Sequence, residues 1–520
     1  MASAGLLKII HSGLQDERLL PPKGQPRADV FEKTFVKAGR FTTELYRVDF
    51  DNRPAFGQTA KATVPRRGHL VTRAYLVTQL PDLKSAQDRA KAYCQQNGLA
   101  FAGPTFGWTN SIGNALVAQL QLQIGTAPIT TMDGRLMEVL DEFHTPLEKV
   151  TTVNRLLGRH DNNFGPESNQ GTQYITPLPL FFGRGDPSAA LPIDALGNDL
   201  VQISVTFAGV SSLYTTYYRV DVPVQTCPGG AISNLSGASF YYVDENGERV
   251  YGLDGNTEKF VKVSKVPGTT MPDTYELGAD TYLLLEYVYL DKPEANRIRL
   301  GDLSIPIVQH YAINPYDTKA GTSSARIPLR IPNPTKDIYF YCHRRDADQL
   351  NAPFLATRDL SGVFIPTLNQ VGPVAPWWPD ASGLNTSRFL PLVPAYSQID
   401  SEPLTSFALM YEGRIVRYAT GAPAYFRSIL PSIEQRKSPW HWKYYYHLPF
   451  GTQHEFFGTT QHAGEANLDK IPNVALQLEF QPFRGSTKVT DTPSYTVYIW
   501  AETYNILRVY GGRGGLLFKY

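Results

Sequence analysis

Few side chains in this 520-residue sequence stand at spacings that do chemistry. Gly511, Gly512, Gly514 and Gly515 have the composition of a phosphate cradle. A cradle needs a following helix whose N-terminus faces the anion, and only Leu516 to Tyr520 remain, so a flexible tail end is expected. Arg184-Gly185-Asp186 matches a tripeptide read by integrins, but Pro187 favours a tight turn in which Asp186 bonds local backbone. His441 and His447 flank Trp442-Lys443-Tyr444-Tyr445-Tyr446. On a strand they share a face but lie about 20 Å apart, too far for one metal, and are expected at the surface or partly buried. Asn234-Leu235-Ser236 and Asn385-Thr386-Ser387 have the form of glycosylation sequons, which need a secretory route to be used. Cys94, Cys227 and Cys342 are odd in number and widely spaced, which suggests neither a disulfide framework nor a zinc site and fits a reducing compartment. Local spacing assembles no Ser-His-Asp set and no carboxylate pair. No catalytic, cofactor-binding or metal-binding residue is therefore assigned, and the chain is expected not to be an enzyme.

Composition sets the class. Lys plus Arg is 49 and Asp plus Glu is 48, a formal charge of +1 that offers no general excess for holding a polyanion. Only 19% of residues are charged, while 42 Gly and 39 Pro accompany 30 Tyr and 26 Phe. Chain breakers beside β-favouring aromatics imply short strands joined by many turns, and exclude long helical bundles and coiled coils. The length suits two large domains or three ordinary ones. Met1 to Ile10 lacks a signal-peptide core, Ala2 excludes N-myristoylation, and no apolar run approaches about 18 residues, so a soluble chain made in the cytosol is expected.

The elements that must position any site are strands. Val201, Ile203, Val205 and Phe207 alternate with Gln202, Ser204 and Thr206, and Val474, Leu476, Leu478 and Phe480 repeat the pattern. Each follows an expected turn-helix segment, Leu191–Leu196 and Ala466–Pro472, and each leads to a long aromatic strand, Tyr282–Leu290 and Tyr495–Leu507. The same order twice predicts two all-β domains in tandem. Further strands are expected at Lys61–Val64, Leu70–Leu80, Leu116–Ile124, Ile327–Ile331, Ile338–Cys342, Phe407–Tyr411 and Trp442–Leu448. Ser211–Gly278 and Asp346–Glu402 show no sustained period and read as long surface loops. Ser85 can open a helix that Gly98 ends. Leu136, Met137, Val139, Leu140 and Phe143 mark a second helix, either a partner-binding face or, preferred here, one packed over a sheet edge. The polar segment Asp291–Arg297 is expected to divide the chain into 1–291, with an insertion at 211–278, and 292–520, with a long loop at 346–402.

Several segments in series resemble one family. They are Gly5–Ile9 with Gln15-Asp16, Phe56-Gly57, Arg67–Leu76, Leu80-Pro81, Gly107–Leu116 running to Ile124-Gly125, and Pro179–Phe182 with Asp186-Pro187 and Ala190–Pro192. Tyr287–Asp291 with Glu294 and Arg297, Tyr504–Arg508 and Gly511–Leu516 complete the set. In this order they look like the double jelly-roll major capsid proteins of nucleocytoplasmic large DNA viruses. The sequence departs from that pattern in Pro21–Pro26, in an inserted helix near Ser85–Cys94, and in a joint without a run of arginines.

The resemblance implies an all-β fold of two tandem eight-stranded antiparallel jelly rolls, with a few short helices and long surface loops. It also implies a structural subunit of the virion, a homotrimer forming a pseudo-hexagonal capsomer of an icosahedral capsid, assembled in the host cytoplasm. Its partners would be neighbouring capsomers, minor capsid proteins and an inner viral membrane near the N-terminus, with no direct nucleic acid and no cofactor. Arg184-Gly185-Asp186 then belongs to a folding turn. A second reading is a carbohydrate-binding jelly-roll protein, with Trp377-Trp378 and Trp440 with Trp442 as stacking platforms. A third is a penton or scaffold paralogue of the capsid protein.

Overall fold

Alternating side chains put strands in sheets with one buried face, and here that pattern occurs twice over. A computed structural model describes residues 40–96, 104–146, 149–159, 172–183, 189–222, 237–243, 249–250, 276–278, 280–345, 348, 351–356, 358, 402–434, 438–439, 443–451, 464–482 and 488–518. Residues 42–520 form one compact unit, distinct from residues 1–41.

The strands of the first half are Phe41–Asp49 (β1), Thr59–Thr63 (β2), Leu70–Gln79 (β3), Pro104–Trp108 (β4), Val117–Ile124 (β5), Ala127–Met132 (β6), Gln173–Pro177 (β7), Val201–Phe207 (β8), Tyr214–Val222 (β9), Gly237–Val243 (β10), Arg249–Val250 (β11) and Tyr282–Leu290 (β12). Those of the second are Leu303–Asp317 (β13), Ser324–Pro328 (β14), Pro334–Arg344 (β15), Leu404–Tyr411 (β16), Ile415–Thr420 (β17), Tyr445–Pro449 (β18), Ala466–Asn467 (β19), Ala475–Phe480 (β20), Tyr495–Tyr510 (β21) and Arg513–Leu516 (β22). Helices are Lys84–Gln96 (α1), Ile112–Ala115 (α2), Gly134–His144 (α3), Val150–Leu157 (α4), Lys292–Leu300 (α5) and Leu430–Glu434 (α6).

The first sandwich pairs the sheet β1-β12-β3-β7 with β2-β8-β5-β6, and the second pairs β13-β21-β15-β18 with β14-β20-β16-β17. Counting the eight sandwich strands of each half in chain order, both have sheets ordered 1-8-3-6 and 2-7-4-5. The ladders are antiparallel. This is the double-sheet jelly roll, formed twice. A further sheet, β11-β10-β9-β4, stands beside the first sandwich.

The alternation read from sequence holds in the cores. Val201, Ile203, Val205 and Phe207 are buried, with Val205 opposite Leu120 on one side and Ala60 on the other. Val474, Leu476, Leu478 and Phe480 are buried likewise. The aromatic strand β12 matches its expected span, and β21 runs three residues past it.

Several expectations change. Ser211–Gly278 contains strands: β9 pairs with β4, and β10 pairs with β9. Their side chains lack strict alternation, which hid them. Strand β13 was invisible because it carries Pro306 and Pro315. The first is tolerated because β13 is an edge strand with one ladder neighbour among the named strands of its sheet, and the second falls where the register shifts between Ile313 and Tyr316. Ala466–Pro472 is a short strand and turn, not a helix, whereas Ile193–Ala195 is a single 3-10 turn. The polar joint is itself helical: Asp291 accepts a bond from the Lys292 amide and opens α5. Helix α1 begins one residue before Ser85, with the Lys84 amide bonded to Asp82 Oδ1.

The glycine cluster is a hairpin and not a loose tail. Gly511 and Gly512, at φ 56° and 78°, make the two-residue turn between β21 and β22. The turn is stitched to the first half, since the Asn198 amide donates to the Gly512 carbonyl (2.8 Å) and Asn198 Nδ2 to that of Gly511 (2.9 Å). The Gly514 amide donates to Asp199 Oδ2, and a Cβ on Gly514 would stand 2.9 Å from Ile124 and Leu196.

Val205→Asp should abolish folding, because its fully buried site offers the new carboxylate no partner and such a group costs several kcal/mol. Loss of soluble protein, or of the cooperative thermal transition, is expected. Gly514→Val should lower the melting temperature while leaving each sandwich's strand content by circular dichroism unchanged.

Candidate functional site

Helix α3 is the centre of the most unusual chemistry in the described residues. Its apolar residues Leu136, Met137, Val139, Leu140 and Phe143 are buried, but Glu138 and Glu142, four residues apart and so on one face, are fully buried as well. Asp133 caps the helix by accepting from the Leu136 amide at 2.9 Å. Gly134 is needed at its start, since a Cβ there would meet the Asn114 carbonyl oxygen at 2.1 Å.

Two buried cations answer the two glutamates. Arg159 Nη2 donates to Glu138 Oε2 at 2.5 Å, Nη1 to Asp141 Oδ2 at 2.5 Å, and Nη1 stands 3.4 Å from Glu142 Oε1. Lys443 of the second half donates to Glu138 Oε1 and lies 3.2 Å from Glu142 Oε1. Ser111, held at φ 53°, and Asn114 Nδ2 complete the shell around Glu138 at 3.1 and 2.8 Å. Burial alone would raise the Glu138 carboxyl. Arg159 and Lys443 outweigh it and hold the group well below the ordinary carboxylate range. Burial opposes the charge of Arg159 too, yet Glu138, Asp141 and Glu142 push its pKa up.

The rest of α3 lies across the face of the β13-β21-β15-β18 sheet. Phe143 packs against Tyr339 and His447 with ring centroids 5.4 and 5.6 Å apart. His144 Nε2 and the Tyr339 hydroxyl share a hydrogen bond of 3.2 Å, and the Arg135 guanidinium sits 4.5 Å over the Tyr498 ring. Under this layer runs a second buried network, in which Lys336 bridges Asp337 and Glu502 at 3.2 Å each. His310 and His447 pair with Glu502 and Asp337 at 3.1 and 3.0 Å. Further links between the halves are Gln309 Nε2 donating to the Ile129 carbonyl, Thr109 Oγ1 to that of Asn351, and Asn351 Nδ2 to those of Ser211 and Tyr214. The chemistry of this seam is mutual neutralisation. It clamps two sandwiches into one register.

Against the sequence reading, α3 covers a sheet face and not an edge, and its partner is the other half of the same chain. His447 is fully buried and hydrogen-bonded to Asp337, not at the surface or partly buried. Cys342 is buried, and burial raises its thiol. His441, Cys227, Arg184-Gly185-Asp186, both sequons and Trp377, Trp378, Trp440 and Trp442 lie outside the described residues. Sequence reasoning missed Glu138, Glu142, Arg159 and Lys443. The available signal was two acids at helical spacing inside an apolar stripe; Lys443, 305 positions from Glu138, gave none.

Residues 29–243 match the family described as "Major capsid protein N-terminus", and residues 300–515 match "Large eukaryotic DNA virus major capsid protein". The chain belongs to this major capsid protein family. Membership gives it a structural role in the virion capsid. Relatives include the probable capsid protein 4 of Acanthamoeba polyphaga mimivirus, 21% identical over 99% of both chains. The major capsid protein of Frog virus 3 is 20% identical over 95% of this chain and 93% of its own. The match to capsid protein 1 of the same mimivirus reaches 26% identity but takes in 41% of this chain and 35% of that protein. Among solved structures, the PBCV-1 capsid chain superposes with a TM-score of 0.62 at 17% identity, over 95% of this chain and 100% of its own. The Faustovirus major capsid protein gives 0.56 at 10% identity, covering 97% of each chain.

The family-like segments do recognisable work in the fold. In Arg67–Leu76, the Arg67 guanidinium stacks 3.8 Å over Tyr46, and His69 Nδ1 accepts from the Leu290 amide at 2.9 Å. In Gly107–Leu116, Trp108 stacks on Phe56, while Thr109, Ser111 and Asn114 build the seam.

Glu138→Gln should cost about 3–5 kcal/mol, because it leaves Arg159 and Lys443 buried with one carboxylate fewer. The pH sign follows from a folded pKa below the unfolded value of about 4.3. Glu138 contributes its full stabilisation above that value and loses it as pH falls toward its depressed folded pKa. Thermal melts should therefore show wild-type stability dropping in acid more steeply than that of Glu138→Gln; parallel acid profiles would exclude Glu138 as a source.

Proposed function

We propose that three copies of this chain associate as a homotrimer whose paired sandwiches give a capsomer of pseudo-hexagonal outline, tiling an icosahedral shell. The observation that carries the reading is the duplicated strand order, 1-8-3-6 over 2-7-4-5, locked into one unit by the buried α3 seam. Three such chains bring six like sandwiches to one assembly. A heterologous contact repeated three times closes into a ring without any unsatisfied surface. A formal charge of +1 keeps repulsion low among many copies packed side by side.

In this reading the division falls between residues 291 and 292, where Asp291 opens α5, giving 1–291 and 292–520. The segments around 211–278 and 346–402 serve contacts at one end of the sandwiches, and the N-terminal segment faces an inner viral membrane. Neighbouring capsomers and minor capsid proteins are the partners, direct nucleic-acid binding and catalysis are not part of the work, and assembly takes place in host cytoplasm.

Sedimentation of the purified chain should give three times 57.9 kDa, about 174 kDa, and negative-stain images should show hexagon-shaped particles. A monomer at micromolar concentration that binds glycan arrays would favour the carbohydrate-binding alternative.

A further inference from the structure

A cleft of about 430 Å³ opens where the two halves of the chain meet, beside the seam. The start of α3 supplies Asp133, Gly134 and Arg135 to one wall, and β5 supplies Val117 and Ala118. The opposite wall, Asp348 with Asn351 to Phe354, comes from the chain that follows β15. That wall is fastened. Asn351, at φ 53°, donates through Nδ2 to the carbonyls of Ser211 and Tyr214 and through its amide to that of Asp348. Asp348 Oδ1 is bonded to Nε2 of the buried His343 at 2.8 Å, although the Asp348 side chain is 59% exposed. Its carboxylate is thus held at a set position in the open.

Arg135 sets this cleft apart. Arg159, Lys336, Arg427 and Lys443 each meet a carboxylate of the chain. Arg135 meets none among the described residues: its guanidinium lies 4.5 Å over the Tyr498 ring, and Nε, shut off from water, has no hydrogen-bond partner there. Burial opposes its charge, while Tyr341, Tyr498, Asp133 and Asp348 favour it. Asp133 gives Oδ1 to the Leu136 amide, and burial pushes its carboxyl up. One cation and two anions therefore line a single space, each with bonding capacity left over. A simple anion entering it would meet Asp133 and Asp348, and a simple cation would meet Arg135. A neutral polyol would leave the guanidinium charge unanswered. A molecule with a carboxylate and an ammonium on one carbon answers both signs, and a guanidinium takes a carboxylate through two parallel bonds. Ala115, Val117, Pro353 and Phe354 line the rest of the cleft with apolar surface.

We propose that this cleft binds a free α-amino acid with an apolar side chain, its carboxylate on Arg135 and its ammonium between Asp133 and Asp348. The side chain of the ligand lies toward Pro353 and Phe354. Asp133 and Arg135 belong to the first half and Asp348 to the second, so the ligand bridges the two and adds to the hold of the seam. The site is complete within one chain and does not depend on the assembly reading above.

Calorimetric titration of the purified full chain with L-phenylalanine and with L-leucine should show one site per chain. Each should also raise the melting temperature, more so at higher concentration, because a ligand that binds only the folded state stabilises it. Phenylpropionate lacks the ammonium and phenethylamine lacks the carboxylate; both should bind about tenfold more weakly or worse, the loss of one charged partner. Asp348→Asn keeps an oxygen for His343 at an exposed side chain, so its unliganded melt should be unchanged while phenylalanine binding weakens by a like factor. Arg135→Gln should abolish binding. Equal binding of phenylalanine and its two analogues, or undiminished binding to Asp348→Asn, would overturn the site. So would the absence of both titration heat and melting shift with either amino acid at millimolar concentration. If Arg135→Gln does not fold, Asp348→Asn and the two analogues decide the matter.

Discussion

A carboxylate taken out of water must find cations of fixed position, and Glu138 finds one in each half of the molecule. Its desolvation would be prohibitive with Arg159 alone displaced or Lys443 alone removed. A sandwich docked one strand out of register would bury the same charge without its second partner. The network therefore selects a geometry more than it adds stability, since an apolar replacement of equal volume can hold an interface equally well. Ser111 in a left-handed backbone conformation and Gly134 pressed on the Asn114 carbonyl are local costs accepted so that the shell around Glu138 closes.

That docking explains the composition of the second sandwich. Strand β15 is buried along almost its whole length because its two faces have different neighbours. Ile338 and Phe340 point into their own core, where Phe340 meets Phe407 and Tyr446. Asp337, Tyr339 and Tyr341 lie on the other face, among the aromatic and ionic groups of the seam. A sheet whose outer face abuts another sandwich cannot be plainly polar there, so it carries tyrosines, histidines and paired charges, each apolar in body with a polar tip that finds a partner.

The fold was legible where one side of a strand faces its own core. Val201–Phe207 and Val474–Phe480 show period two because their other faces are polar, and β12 stood out by its aromatic run. Legibility failed at β13, whose prolines sit at an edge position and a bulge, and at β9 and β10, whose residues do not alternate. It failed again at Gly511–Gly515, where the partners of the turn, Asn198 and Asp199, lie more than three hundred residues upstream. The seam was least legible of all. Sequence period registers water against core, and Glu138 and Lys443 face neither; they face each other. The family-like segments Thr109–Asn114 did mark the place, but their role in holding Glu138 is written only in three dimensions.

The buried ionic seam inside the 42–520 unit has a mechanical corollary. A closed container has to curve, and curvature demands that some joint tilt. With one sandwich bolted to the next through desolvated ions and interlocked rings, bending there would expose charge to a dry interior. The seam itself thus resists tilting, and any hinge of such a container has to lie elsewhere than between these two sandwiches.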